Sequence, residues 1–97
     1  MKEIMKKEFE VISQIIQNNK RVLDIGCGDG TLMEYLKVNQ KNDVRGLEPE
    51  KDLVQKSISK GLSVIEGDAE KELFQFPEKS FDYVVLSQTL QAIGIAE

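Results

Sequence analysis

Apolar positions recur at helical spacing along the first part of the chain. Residues 3–17 predict an amphipathic helix, because large apolar side chains follow one another at intervals of four, three and four residues. This stripe consists of Met5, Phe9, Ile12 and Ile16. We expect it to pack against the rest of the protein, within an N-terminal helical segment at residues 1–18.

After this helix, short apolar segments alternate with amphipathic ones. Strands are predicted at residues 20–25, 44–48, 62–66 and 81–86. Helices are predicted at residues 30–38, 50–60 and 70–76, the second of them presenting Leu53, Val54 and Ile58 and ending at Gly61. The alternation predicts an α/β fold: a three-layer αβα arrangement with a parallel, Rossmann-like sheet, because such units are joined by right-handed crossovers.

The first strand leads into a short acidic loop that contains three glycines. Asp24 lies near the end of the strand, and Gly26, Cys27, Gly28 and Gly30 follow before the next helix. Glycine lets the backbone turn sharply and lets a ligand lie against the main chain. Open α/β sheets bind nucleotides and related cofactors where a strand end meets a helix N-terminus. The loop is therefore a candidate cofactor site.

Spacing and charge in this loop distinguish between cofactors. Dinucleotide-binding loops follow Gly-x-Gly-x-x-Gly, whereas the third glycine here comes one residue early and Thr31 takes its place. Asp24 and Asp29 flank the loop, and no Lys or Arg lies between Arg21 and Lys37. A pyrophosphate would meet like charges, at a cost on the order of a few kcal/mol. The cationic S-adenosylmethionine (SAM) fits better, and an NAD-type oxidoreductase is the remote alternative.

Composition narrows the function classes further. The chain has 97 residues, a net charge of −4, 40% hydrophobic and 31% charged residues, and one cysteine. These values are ordinary for a soluble domain, and no basic block is present to bind nucleic acid. The sequence has no long apolar run, no signal-like N-terminus and no second cysteine for an internal disulfide. We expect one cytoplasmic domain, residues 1–97, with no metal, nucleic-acid or membrane partner.

The motifs resemble those of a known superfamily. Residues 22–30 resemble motif I of the class I SAM-dependent methyltransferases, and the similarity continues at residues 46–49, 65–69 and 81–87. Within that superfamily the chain is most similar to the MetW family of methionine biosynthesis, through residues 64–68 and above all residues 84–92. The resemblance implies that the cofactor is SAM, with S-adenosylhomocysteine as product.

The resemblance also implies roles for three acids. Asp24 would hold the amino-acid end of the cofactor, Glu48 would accept hydrogen bonds from both ribose hydroxyls, and Asp68 would accept one from the adenine amino group. Each acid has a structural alternative. Asp24 could cap the loop, Glu48 could be an ordinary solvated side chain, and Asp68 could cap a helix that begins at Glu70.

Four other positions complete the cofactor contacts that the resemblance implies. Pro49 follows Glu48, and the backbone N–H of Ala69 would face the adenine ring. Ser87 and Gln88 follow the fourth strand, where the transferred methyl group is expected to point. They are contacts with cofactor or substrate rather than catalysts.

Cys27 has a second interpretation as a nucleophile, because a thiolate is favoured at a helix N-terminus. The neighbouring carboxylates would raise its pKa, however, and the chain contains no histidine to act as its base. We interpret Cys27 as a small residue of the loop. The pattern indicates no general base, and the methyl acceptor cannot be inferred from it.

In the superfamily the four strands take the spatial order 3-2-1-4 and further strands follow. Here those later strands are missing, so we expect a domain truncated at its C-terminus, with residues 94–97 beginning a fourth helix. The fourth strand would then be an exposed apolar edge, through which the chain could self-associate.

The resulting hypothesis is a SAM-binding methyltransferase linked to methionine biosynthesis. The resemblance also implies a second function, as a non-catalytic regulatory partner of a homoserine O-acyltransferase.

Overall fold

The computed structural model describes residues 2–72, 80–87 and 91–94. The helices in these ranges are α1 (Lys2–Ile15), α2 (Thr31–Gln40), α3 (Lys51–Ser59) and α4 (Ala69–Glu72). The strands are β1 (Arg21–Ile25), β2 (Asp43–Glu48), β3 (Ser63–Glu66), β4 (Tyr83–Leu86) and β5 (Gln91–Gly94). Among the described residues, no helix has the length and apolarity needed to cross a bilayer.

The strands form one sheet in the order β3-β2-β1-β4-β5. β1 pairs in parallel with both β2 and β4, and β2 pairs in parallel with β3. The predicted parallel order 3-2-1-4 is therefore confirmed. Because these strands are parallel, their carboxyl ends meet at one edge of the sheet, where Ile25 lies opposite both Leu47 and Leu86.

The prediction that the fourth strand is an unpaired edge is wrong. β5 pairs with β4 in the antiparallel sense, from Leu86 opposite Gln91 to Tyr83 opposite Gly94. Residues 87–90 are too few for a crossover, which takes about a dozen residues, so the chain returns as an antiparallel strand. Gly94 consequently lies in a strand instead of beginning a helix, and residues 95–97 lie outside the described ranges. β5 therefore occupies the edge through which self-association was expected.

One face of the sheet carries the main apolar core. Buried side chains there come from β1, β2 and β4, from helices α1 and α2, and from the residue that follows α1: Val22, Val44, Val85, Ile12, Leu32, Met33, Leu36 and Ile16. The predicted stripe of the first helix is confirmed for Ile12 and Ile16, which are both 1% exposed. Phe9 packs edge-on against Tyr35, with ring centroids 5.6 Å apart. The side chain of Met5 lies outside the described part of the chain.

The apolar face predicted for the helix at residues 50–60 is only partly confirmed. Val54 is buried, but Ile58 is 54% exposed and Ser57 is fully buried in its place. The predicted strand at residues 81–86 begins at Tyr83. The carboxylate of the preceding Asp82 accepts hydrogen bonds from the backbone and guanidinium of Arg21. Of the helix predicted at residues 70–76, positions 73–76 lie outside the described residues.

Candidate functional site

The loop after β1 follows a path that glycine makes possible. Gly26, Gly28 and Gly30 have φ values of +71°, +61° and +84°, a left-handed conformation that costs other residues roughly 1–2 kcal/mol each. The N–H groups of Gly26 and Cys27 both donate to the carbonyl of Leu47, at 2.8 and 3.2 Å. The loop therefore turns tightly over the end of the neighbouring strand β2.

Gly30 also allows close packing between the loop and α3. A Cβ atom at this position would lie 2.4 Å from Cδ1 of Leu62 and 2.9 Å from Oγ of Ser57. At Gly28, by contrast, a Cβ atom would have no heavy atom within 4 Å. The loop is thus packed against protein at Gly30 and borders open space at Gly28.

Asp24 is a buried carboxylate near the carboxyl end of β1, with none of its surface exposed. Its Oδ1 accepts a hydrogen bond from the Ser87 hydroxyl, whereas its Oδ2 has no hydrogen-bond partner among the described residues. Burial raises the pKa of Asp24 to about 7; the bond from Ser87 lowers it and the charge of Glu48 raises it. In its charged form, Asp24 is therefore stabilised by a hydrogen bond at one oxygen only, among the described residues.

Glu48 ends β2 and is 4% exposed. Its Oε1 accepts a hydrogen bond from the N–H of Gly28 at 2.8 Å, and its Oε2 accepts one from the N–H of Glu50 at 2.9 Å. The interpretation of Glu48 as an ordinary solvated side chain is wrong. It connects the glycine loop to the start of α3.

Ser57 is the site residue that the sequence reasoning missed. It lies on α3 with none of its surface exposed, and its hydroxyl donates to the carbonyl of Gly28 at 3.1 Å. The sequence could have indicated that Ser57 is buried, because it follows Val54 by three residues and so lies on the same face of the helix. A small polar residue suits this position because α3 passes close to the glycine loop.

The charge of Asp29 is already compensated within the protein. Its Oδ1 accepts hydrogen bonds from the hydroxyl and the N–H of Thr31, and its Oδ2 lies 4.0 Å from Nζ of Lys60. The bond from the Thr31 side chain is the main reason that the pKa of Asp29 is lowered. Of the two acids that flank the loop, Asp24 is thus the one with an unpartnered buried oxygen among the described residues.

Cys27 is buried where the glycine loop packs against β2. It is 6% exposed, and a Cβ atom at Gly46 would lie 2.7 Å from its sulfur. Burial, followed by the charges of Asp24 and Glu48, raises its pKa to about 12. The thiol is thus protonated at neutral pH. A protonated, buried thiol is consistent with the interpretation of Cys27 as a small residue of the loop.

A cavity of about 330 Å³ opens at the carboxyl ends of the parallel strands. Its apolar lining comes from Ile25, Leu47 and Leu86, and it includes Gly26, Pro49, Asp68 and Ala69 from the predicted site. The buried Asp24 and Glu48 and the partly buried Ser87 lie at these strand ends, but they are not among the described residues that line the cavity. The fold therefore places Gly26, Pro49, Asp68 and Ala69 of the predicted residues around one cavity. Gln88 lies outside the described residues.

Asp68 caps a helix, which is the structural alternative to its predicted contact with the adenine. Its Oδ1 accepts a hydrogen bond from the N–H of Lys71 at 3.0 Å, and its backbone carbonyl accepts from the N–H of Glu72 at 3.0 Å. Asp68 thus caps α4 while its exposed side chain lines the cavity. The two roles are compatible, because a carboxylate has about four acceptor positions.

A second cavity, of about 390 Å³, lies at the opposite ends of the strands. Arg21, Asp43 and Ser63, the first residues of β1, β2 and β3, line it. It contains none of the predicted site residues, and ligands of open α/β sheets bind at the carboxyl ends instead.

Within the described residues, no cluster of three or more His, Cys, Asp or Glu side chains is arranged to hold a metal ion.

Comparisons with known proteins identify relatives of this chain. The family described as "Methionine biosynthesis protein MetW" matches residues 6–96. The bifunctional methionine biosynthesis protein MetXA/MetW of Rhodopirellula baltica is 32% identical over 92 residues, which are 87% of this chain and 15% of that protein. An uncharacterized methyltransferase of Schizosaccharomyces pombe is 31% identical over 87 residues, 87% of this chain and 33% of that protein.

A solved structure supports the same relationship. The crystal structure of a SAM-dependent methyltransferase from Archaeoglobus fulgidus matches with a TM-score of 0.74 and 27% identity, over 88% of this chain and 38% of that one. The predicted Rossmann-like methyltransferase fold is therefore confirmed. The chain spans less than half the length of each of these three proteins.

Proposed function

Because this chain belongs to the MetW family, which matches residues 6–96, we propose that it binds SAM at the carboxyl ends of β1, β2 and β3. When bound, the cofactor supplies a methyl group already activated by its positive sulfur. The chain's own task is then to hold and orient it, because proximity and orientation account for much of the rate of such a displacement.

The observation that carries this proposal is the unpartnered oxygen of Asp24. A buried carboxylate oxygen without a partner is unfavourable, since each buried polar group normally forms a hydrogen bond. Among the described residues, Oδ2 of Asp24 has none, and the charge of Glu48 adds repulsion. A ligand with positive charge relieves both penalties, whereas a pyrophosphate increases the second. The carboxylates at this site therefore favour SAM over a dinucleotide.

Glu48 retains the capacity to bind the ribose. A carboxylate has about four acceptor positions, and the N–H groups of Gly28 and Glu50 use one on each oxygen. One position on each oxygen is left for a hydroxyl group. Asp68 and Ala69, which line the cavity beside the apolar strand ends, are suitably placed for the adenine.

Calorimetric titration with S-adenosylhomocysteine tests the proposal. We expect binding by the unmodified chain and a loss of tenfold or more in Glu48→Ala, because hydrogen bonds to a charged group contribute about 1.5–3 kcal/mol. Glu34→Ala is the matched control, since Glu34 is an exposed carboxylate on α2, and it should bind normally. NADH, titrated in parallel, should not bind. Absence of S-adenosylhomocysteine binding by the folded chain would contradict the proposal.

A second proposed function is regulation of a homoserine O-acyltransferase by contact. The R. baltica relative supports it, because that protein combines MetXA and MetW in one polypeptide. Co-purification of this chain with a separately expressed homoserine O-acyltransferase tests the association. Binding of the cofactor without methylation of small acceptors, together with a changed acyltransferase rate, would favour regulation over methyl transfer.

A further inference from the structure

Two side chains from outside the glycine loop hold the backbone of Gly28. Its N–H donates to Oε1 of Glu48 at 2.8 Å, and its carbonyl accepts from Oγ of Ser57 at 3.1 Å. Glu48 ends β2 and Ser57 lies on α3, so two separate elements fix a single loop residue. These three residues are called the Gly28 clamp below.

The clamp leaves one side of Gly28 open. No heavy atom lies within 4 Å of the position that a Cβ atom on Gly28 would take. The backbone groups of Gly28 are thus held by the protein, while its Cα borders free space. A ligand could therefore approach Gly28 without breaking either hydrogen bond of the clamp.

Packing alone does not require a serine at position 57. The site is fully buried, and Gly30 lies so close that its missing Cβ would be 3.3 Å from the Cβ of Ser57. Alanine would meet this limit on size equally well and has the higher helix propensity. What serine adds is the hydroxyl that binds the carbonyl of Gly28.

We infer that Ser57 is a positioning residue for the cofactor: with Glu48, it holds the glycine loop in the binding conformation before the ligand arrives. The inference rests on the proposed function. Glycine-rich backbone has the most conformational freedom to lose on ordering, and ordering a loop during binding weakens affinity. A loop fixed in advance avoids that loss.

Ser57→Ala tests the inference, with Ser59→Ala as its matched control. Ser59 lies on the same helix, but it is exposed and its hydroxyl donates to the carbonyl of Lys56 within that helix. We expect Ser57→Ala to weaken the binding of S-adenosylhomocysteine about five- to tenfold, the value of one ordinary hydrogen bond. Ser59→Ala should change it less than about twofold. Unchanged affinity in a folded Ser57→Ala chain would overturn the inference.

Hydrogen exchange separates positioning from general stability and needs no ligand. In Ser57→Ala the amide of Gly28 should exchange faster, while the amides of β1 keep their rates. Equal acceleration at all amides would show a merely structural role and overturn the inference. The unmodified chain provides a measurement without any variant, because a Gly28 amide that exchanges as fast as an unstructured peptide would also overturn it.

The two proposals fail in different ways. If the folded, unmodified chain does not bind S-adenosylhomocysteine, the proposed function fails and the role of Ser57 toward the cofactor fails with it. If the unmodified chain binds and Ser57→Ala binds equally well, the positioning role alone fails.

Discussion

The hydroxyl of Ser87 donates a hydrogen bond to Oδ1 of Asp24, although 63 residues separate the two in the chain. The contact forms because β4 lies parallel to β1, with Val85 opposite Asp24, so that residues at the ends of both strands meet. Oδ2 of Asp24 has no partner among the described residues. Asp24 is therefore the group through which pH and a charged ligand should act on this protein most strongly.

Asp24 should make the protein less stable as the pH rises from about 4 to about 7. Its pKa is raised from 3.8 to about 7, so the folded chain keeps a proton that the unfolded chain releases in this window. The stabilisation is complete below the unfolded pKa and is lost as the pH rises through the folded pKa. A difference of one unit between the two pKa values is worth about 1.4 kcal/mol.

Urea unfolding of the unmodified chain and of Asp24→Asn, followed across this pH range, checks the prediction. The variant cannot titrate at position 24, so its stability relative to the unmodified chain should increase with pH by up to a few kcal/mol. Asp29 and Asp82 have lowered pKa values and act in the opposite sense, at lower pH. Parallel pH profiles for the two chains would show that Asp24 does not titrate in this window.

Binding of S-adenosylhomocysteine near pH 7 should release protons from the protein. An ammonium group beside Asp24 favours its charged form and lowers its pKa, so a fraction of a proton leaves on binding. The apparent binding enthalpy should then depend on the ionisation enthalpy of the buffer. In Asp24→Asn this dependence should disappear. Equal proton release by both chains would assign it to another group.

Cys27 should react with thiol reagents only when the structure opens. The side chain is 6% exposed and its pKa is raised to about 12, so the reactive thiolate is scarce at neutral pH. Labelling at about pH 8 should be slow in the native chain and fast in urea. Bound S-adenosylhomocysteine should slow it further, since ligands that bind only the folded state suppress opening. Native labelling as fast as that of a free thiol would contradict this assignment.

Gly30→Ala should destabilise the protein more than Gly61→Ala. The two glycines have nearly the same φ, +84° and +82°, but only Gly30 has close neighbours where a Cβ atom would lie. Gly61→Ala should cost about 1–2 kcal/mol from the left-handed conformation alone. Gly30→Ala should cost about 1–3 kcal/mol more, because Leu62 and Ser57 must shift. Chemical unfolding measures both, and equal losses would contradict the packing at Gly30.

The local elements were predictable because their signals lie within a few residues of one another. Ile12 and Ile16 are one helical turn apart, and the position of the glycine loop after β1 follows from adjacent residues. The parallel strand order came from the family resemblance, and the structure confirms it. The ends of elements were predicted less accurately, as at residues 81–82, which were assigned to the fourth strand but precede β4.

The sequence by itself determined the α/β alternation, the acidic glycine loop and the set of candidate residues at the strand ends. Only the tertiary structure decided which partner each polar group has: Ser87 for Asp24, Gly28 for Glu48, and Ser57 for the carbonyl of Gly28. It also decided that β5 covers β4 and that Ser57 is buried in place of Ile58. The physical reason is that periodicity reports which face of an element is apolar. The identity of a buried group's partner depends instead on distant segments that meet only after folding.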